Sequence, residues 1–389
     1  MVKKIIILIF IFTGIASVNA EDADFYTQKS ALSEGKWVKI RIRETGFYKL
    51  TYAELRKMGF SDPAKVSVHG YGGFPMEEDF SKALYFDDAP SVPVWRGNDF
   101  LLFYGKGVVK WTYNNGNKSF IHENNSYSTY GYYFVTDATE TDEVAQMQPY
   151  TGNTDIEVNT YDDYMLHETE RVSVTVPGRP NSGRELFGES FDQRTSQDFT
   201  FAIPGITGDD GLITYRFIGK LKTSSGTVSM RVNDALLNES NIPVDTYEYT
   251  AALDVNPRVA WTGEKSENTT VNIGFSLGQQ PAYLDYIRVQ MKRTLQPYGA
   301  VTFFRSVESL QKNTKFKIGN TANLLVFNVT EGKPMQQVAA TADGSGQTFS
   351  MAADPVLQEF AVVDVSKEIP APETVGEVPN QNLHALPQT

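Results

Sequence analysis

From residue 36 the chain alternates apolar and polar positions with a two-residue period. Trp37, Lys39, Arg41 and Arg43 fall on one side and Val38, Ile40 and Ile42 on the other, the pattern of a half-buried strand. Phe47 to Leu50 reads as a second strand after Gly46. The best helical signal follows at once: Thr51 as N-cap, Glu54 completing a capping box, Leu55 and Met58 as the apolar stripe, and Gly59 as the stop. It predicts one short helix near residues 51–58. Val66 to His69 returns to strand before Gly70-Tyr71-Gly72-Gly73-Phe74-Pro75, which predicts a turn or bulge. That cluster lacks the spacing of a dinucleotide fingerprint, and no helical pattern follows Pro75 to grip a phosphate.

The strand pattern continues through Phe100 to Tyr104, a continuous apolar run, and through Val108 to Tyr113 and Ser119 to His122, with Asn115-Gly116 between them as a hairpin signal. After Tyr130 to Thr136 the chain turns polar and acidic from Asp137 to Gln148, as a connector does. Short strands resume at Val172 to Val176, Asp198 to Ala202, Ile213 to Lys222, Val228 to Val232, Val271 to Leu277 and Tyr283 to Met291, then at Ala322 to Val329 and Glu359 to Val365. Many short strands with turn clusters and no helical period between them predict an all-β, mainly antiparallel protein with two or more β-sandwich or jelly-roll-like domains. The expected division is an N-terminal β domain over 21–160, a sandwich over 161–298, a third β region over 299–368 and a proline-rich linker over 369–389.

Lys3 and Lys4 precede the apolar run Ile5 to Phe12, and Ser17-Val18-Asn19-Ala20 closes it with small residues. This predicts a cleaved signal peptide over 1–20 and export through the inner membrane. Its loss leaves 33 basic against 47 acidic residues, a net charge of −14. Such a balance argues against nucleic acid as a partner, because phosphate binding needs concentrated Lys and Arg. The chain contains no cysteine, which excludes disulfides, thiolate metal sites and a thiol nucleophile within it.

The motifs that spell chemistry have weak contexts. Gly274-Phe275-Ser276-Leu277-Gly278 matches the nucleophile-elbow letters, yet Ser276 lies within a strand alternation and Gln279-Gln280-Pro281 leads to another strand. His69, His122, His167 and His384 stand singly, without ligand spacing. The acid pairs Glu77-Glu78, Asp87-Asp88 and Asp209-Asp210 lack a calcium-loop spacing. Arg184, beside Glu185 and near Glu189, reads as their ion-pair partner. No catalytic residue, metal ligand or cofactor site is therefore assigned.

Several strings in order resemble the N-terminal region of the type IX secretion sortase: Gly46-Phe47-Tyr48-Lys49-Leu50-Thr51-Tyr52, Val68-His69-Gly70-Tyr71-Gly72-Gly73, Val94-Trp95-Arg96-Gly97-Asn98-Asp99, Phe103-Tyr104-Gly105-Lys106-Gly107 and Tyr127-Ser128-Thr129-Tyr130-Gly131-Tyr132-Tyr133. Ser182 to Glu189, Ala282 to Val289 and Asn380-Gln381-Asn382-Leu383-His384 extend the resemblance over nearly the whole mature chain. The resemblance implies a β-rich platform ahead of a gingipain-type cysteine peptidase domain. The complete enzyme of that family removes C-terminal sorting signals from secreted cargo and links the cargo to surface lipopolysaccharide, beside an outer-membrane β-barrel partner. It implies a cell-surface or outer-membrane location, and as partners the peptidase domain, the barrel and the cargo. No catalytic residue carries over, and the sequence ends at Thr389 about where the peptidase domain is expected.

The expected role is a non-catalytic scaffold and docking region, with Gly70, Tyr71, Gly72, Gly73, Phe74, Trp95 and Arg96 as candidate docking-loop residues, since loops on rigid scaffolds carry recognition. The same loops also read as tight packing turns. A free-standing adhesin or carbohydrate-binding sandwich is the alternative from the residues alone, and a complete hydrolase built on Ser276 or on an unidentified acid pair is a third.

Overall fold

A computed structural model describes residues 27–386, apart from 80–87, 175–180, 247–251 and 322–323. The expected signal peptide and Asp87 lie outside the described residues. Nearly every described element is a strand, and most pairings are antiparallel. Ala145–Gln146 beside Gln336–Val338 and Ile156–Val158 beside Thr314–Ile318 run parallel.

Four sheets stack face to face. The first runs Glu373–Val378, Trp37–Ile42, Gly131–Thr136, Ser67–Gly72, Ser91–Val92, and the second runs Gly46–Thr51, Phe100–Gly105, Val94–Arg96. Val38, Ile40, Ile42, Leu50, Val68, Leu101, Phe103 and Val135 fill the layer between them. The third sheet centres on Leu325–Asn328 and Phe360–Val363, and the fourth on Thr314–Ile318 and Gly346–Met351. Phe304, Phe316, Phe349 and Phe360 form the aromatic heart of the layer between those two, with Phe316 and Phe349 stacked at 5.0 Å. Val158 and Tyr161 reach that layer from earlier in the chain.

A further apolar layer joins the second sheet to the third, and it explains the unbroken hydrophobic run at Phe100–Gly105. Leu101 and Phe103 point into the first layer, while Leu102 points the other way, against Phe327, Ala361 and Val363. Phe47 meets Phe327 at 5.2 Å in the same layer. Strands covered on both faces have no solvent side on which to place polar residues. Each large side chain so buried contributes about 1.5–3 kcal/mol.

The sandwich beside this stack packs Ser196–Ala202, Asn268–Phe275, Gly226–Val232 and Ala235–Ile242 against Thr160–Glu168, Ala282–Thr294, Gly211–Gly219, Leu253–Val255 and Arg258–Trp261. Its core holds Phe217, Val228, Ile273, Phe275, Leu284 and Ile287, while Thr200, Thr270 and Asn272 lie on the outer face of its first sheet. Here the two-residue alternation is plain.

The helix spans Tyr52–Lys57. Thr51 Oγ1 accepts from the Glu54 amide at 3.2 Å, and the Glu54 carboxylate accepts from the Thr51 amide at 2.8 Å, so the capping box is complete. Leu55 is buried against the first layer. The hairpin expected at Asn115-Gly116 forms between Val109–Asn114 and Ser119–Asn124, but its loop has four residues. Asn114 Oδ1 accepts from the amides of Gly116 and Asn117, which holds an Asx-type turn in place of a two-residue one.

Several segments depart from the sequence reading, among them the strands Thr160–Glu168, Ala235–Ile242, Thr314–Ile318 and Gly346–Met351, which it did not name. Within the expected linker, Glu373–Val378 is a strand paired to Trp37–Ile42, because Glu-Thr-Val-Gly-Glu-Val contains no proline and can complete the ladder. Val172 makes a single bridge to Phe187, with residues 175–180 outside the described set.

Candidate functional site

A concave site lies where the 109–124 hairpin leaves the stack and lands on the sandwich. Gln290 holds the hairpin by its backbone: its Oε1 accepts from the Phe120 amide and its Nε2 donates to the Phe120 carbonyl, both at 2.9 Å. Arg288 also donates to that carbonyl, at 3.3 Å. Trp111 stacks on Tyr164 of the sandwich strand with ring centres 4.0 Å apart and planes at 19°. Phe120 meets Tyr164 at 5.1 Å.

A cavity of about 390 Å³ opens beside these rings. Trp111, Tyr113, Tyr164, Leu310, Val356 and Leu357 are among the residues that line it. Arg305 lies at its base, buried, donating to Glu359 at 2.6 Å and to the Asp162 carbonyl at 3.2 Å, with its guanidinium 4.5 Å from the Tyr164 ring centre. Burial disfavours the Arg305 charge, but Glu359, Tyr164 and Asp163 outweigh it and hold the cation firmly protonated. Burial likewise pushes the Tyr164 phenol well up, against the pull of Arg305. Glu331 on the rim pairs with Lys106 at 3.0 Å. With these charges already matched, the groove offers aromatic area and shape for binding.

The sequence reading missed this groove. Its available signal was Trp111 and Tyr113 at i and i+2 in a hairpin arm, which puts two large rings on one face. Tyr164 and Arg305 join them only through tertiary contact.

The expected docking residues have internal roles. Gly70 and Gly72 adopt φ of +131° and +80° at a register shift in the first sheet. A Cβ on Gly72 would come within 2.4 Å of the Tyr133 hydroxyl and 2.6 Å of the Lys106 carbonyl, and one on Gly73 within 2.7 Å of the Gly131 backbone. The glycines therefore serve backbone approach. Tyr71 donates its hydroxyl to the Asp88 carbonyl, and Phe74 lies 5.7 Å from the Lys106 ammonium. Trp95 packs in the layer between the second and third sheets, next to Phe100 at 6.0 Å. Arg96 donates to Glu143 and to the Val66 carbonyl, each at 2.7 Å. Trp95 and Arg96 thus hold parts of this chain together, while Met76, just beyond the glycine cluster, is 71% exposed.

Ser276 follows the strand Asn268–Phe275, and its Oγ accepts from the Thr227 amide at 2.7 Å. The chain continues from it into the strand Ala282–Thr294, so the strand-to-helix turn of a nucleophile elbow is not formed there. His69 is buried against Ser67 and Thr139, and burial lowers its pKa. His122 meets Glu168 and His167 meets Glu189, each at 3.1 Å. Arg184 pairs with Glu78 at 3.5 Å and lies over Tyr127, instead of pairing with Glu185 or Glu189. Glu185 goes to Arg216, because that cation rises from the neighbouring strand of the sandwich. Among the described residues no group of three or more His, Cys, Asp or Glu is arranged to hold a metal ion.

No family model matches the sequence, and no curated protein does. Among solved structures the chain is similar to dimeric latent PorU from Porphyromonas gingivalis, with a TM-score of 0.85 and 29% identity over 93% of this chain. Its fold is PorU-like. The match covers 35% of the PorU chain, so this sequence spans about a third of that protein's length. A family 35 carbohydrate binding module from an environmental isolate scores 0.23 at 16% identity, over 32% of this chain and 91% of the module. The Bacillus thuringiensis endotoxin Cry8Ea1 scores 0.21 at 9% identity, over 58% of this chain and 42% of its own. Scores so low carry no weight beside the PorU likeness.

Proposed function

We propose that these residues are the non-catalytic scaffold region of a type IX secretion sortase, exported by a signal peptide and working at the cell surface or outer membrane. The observation that carries this reading is the PorU likeness, which covers 93% of the chain. The complete enzyme cleaves C-terminal sorting signals and attaches cargo to surface lipopolysaccharide. The thiol for that chemistry must come from residues outside these 389, because none of them is cysteine. The scaffold holds the peptidase domain and faces an outer-membrane β-barrel partner and the cargo.

Just beyond the glycine cluster, Met76 is 71% exposed, and Tyr127, which is 75% exposed, reaches Glu78 two residues further on at 3.5 Å. This patch is the proposed contact for the peptidase domain.

The test is a chimera in which this chain replaces the matching third of PorU. Processing of a sorting-signal reporter is expected to persist, and the isolated chain should leave the same reporter intact. A folded chimera that processes nothing, or cleavage by the isolated chain, overturns the reading.

A further inference from the structure

Although the chain as a whole carries a net charge of −12, one of its open sheet faces is cationic. In the first sheet, Val38, Ile40 and Ile42 are buried, so the alternate positions Lys39 and Arg41, and Arg43 just beyond the strand, lie on the opposite face. Lys39 Nζ sits 3.9 Å from the centre of the Tyr132 ring. The guanidinium groups of Arg41 and Arg43 lie 4.1 and 4.4 Å from the centre of Tyr130, and Arg43 donates to the Tyr130 hydroxyl. Cations resting on aromatic faces are held in place, with their N–H edges still available to donate to oxyanions.

The chain itself shows which anion this sheet accepts. Glu373 of the edge strand takes two hydrogen bonds from Arg41, and Glu377 of the same strand pairs with Lys36 at 3.3 Å. An extended acidic strand thus already lies along the cationic one. Neither Lys39 nor Arg43 makes an ion pair with a carboxylate among the described residues, although Arg43 lies near enough to Glu373 to help hold its carboxyl below the usual range. Alternate positions on an antiparallel strand repeat about every 6.8 Å. A second extended peptide presents its own alternate side chains at the same repeat.

We propose that this face docks an extended acidic peptide segment of a partner protein. Its alternate carboxylates reach Lys39 and Arg43, whose positions Tyr132 and Tyr130 fix. The proposal needs only the isolated chain, so it stands or falls separately from the sortase reading.

The test is fluorescence anisotropy of a labelled peptide of alternating Glu and Thr on the full chain, beside a Lys-for-Glu control peptide, a heparin oligosaccharide and phosphatidylglycerol vesicles. The acidic peptide is expected to bind more tightly than the other three and to weaken as salt rises. The double variant Lys39→Glu with Arg43→Glu should lose about tenfold or more, equivalent to about 1.4 kcal/mol. If that variant misfolds by circular dichroism, Lys39→Gln with Arg43→Gln decides, with a loss of at least threefold expected. A change below twofold in the folded variant overturns the proposal. So does absence of peptide binding, or heparin or vesicles binding as tightly as the peptide, which would make the face a general anion patch.

Discussion

The strand Phe100–Gly105 lies between two sheets, with Leu101 and Phe103 in one apolar layer and Leu102 in the next. Asn268–Phe275 in the sandwich instead buries Val271, Ile273 and Phe275 and leaves Thr270 and Asn272 on the outside. The difference shows how the two parts of the molecule are joined. The first and third regions are fused through apolar surface, so each inner sheet depends on its neighbour. The sandwich meets the stack through the hairpin's polar and aromatic contacts, and through Tyr161 and Leu295 where its strands run into the aromatic layer.

The severest way to break this comparison is Phe327→Ala in the layer that joins the two halves of the stack. Phe327 is fully buried, and its loss should cost about 3–5 kcal/mol by urea denaturation. A cost below about 1 kcal/mol would mean that the inner sheets do not rely on each other. Next comes Gln290→Ala, which leaves the buried Phe120 amide without its acceptor. A loss of about 1–3 kcal/mol is expected, with faster amide exchange confined to residues 109–124. Unchanged exchange in the hairpin would show that Gln290 does not hold it.

Asp285 sharpens the contrast through pH. Burial raises its carboxyl from 3.8 to about 6, despite Arg216 at 2.9 Å, with Glu168 and Glu185 adding to the rise. A raised folded-state pKa gives stability that is present below the unfolded value of 3.8 and lost as pH climbs through about 6. Asp285→Asn should therefore gain melting temperature relative to the parent chain as the buffer moves from about pH 4 to about pH 8. A difference that stays flat with pH would contradict this. The smallest effect belongs to Thr200→Ala on the sandwich's outer face, expected within about 0.5 kcal/mol of the parent. A larger loss there would show that the face is covered in the folded protein.

Local signals were legible where the chemistry is local. Thr51 and Glu54 sit three residues apart and bond to each other, so the helix could be read without any partner. The same holds for the alternation at Trp37–Ile42 and for the glycine cluster, whose bulge the sequence anticipated. Thr160–Glu168 was harder, because Asp162 and Asp163 interrupt its pattern. Their compensating cations, Lys292, Arg293 and Arg305, lie more than a hundred residues away. The candidate site was the least legible part. Trp95 and Arg96 were read as docking-loop candidates or packing turns, and they lie half-buried in a strand with contacts inside this chain, whereas Trp111, Tyr164 and Arg305 meet only when the hairpin crosses to the sandwich.

By itself the sequence determined the β class, the capped helix at Tyr52–Lys57, and the absence of a thiol, since side-chain period, capping and composition need no knowledge of distant residues. Tertiary structure alone decided that the apolar runs are inner layers of a stack, that Glu373–Val378 closes the first sheet, and that a groove forms at the hairpin. Each of those depends on surfaces brought together across long stretches of chain, and a one-dimensional pattern records that a face is apolar without recording what covers it.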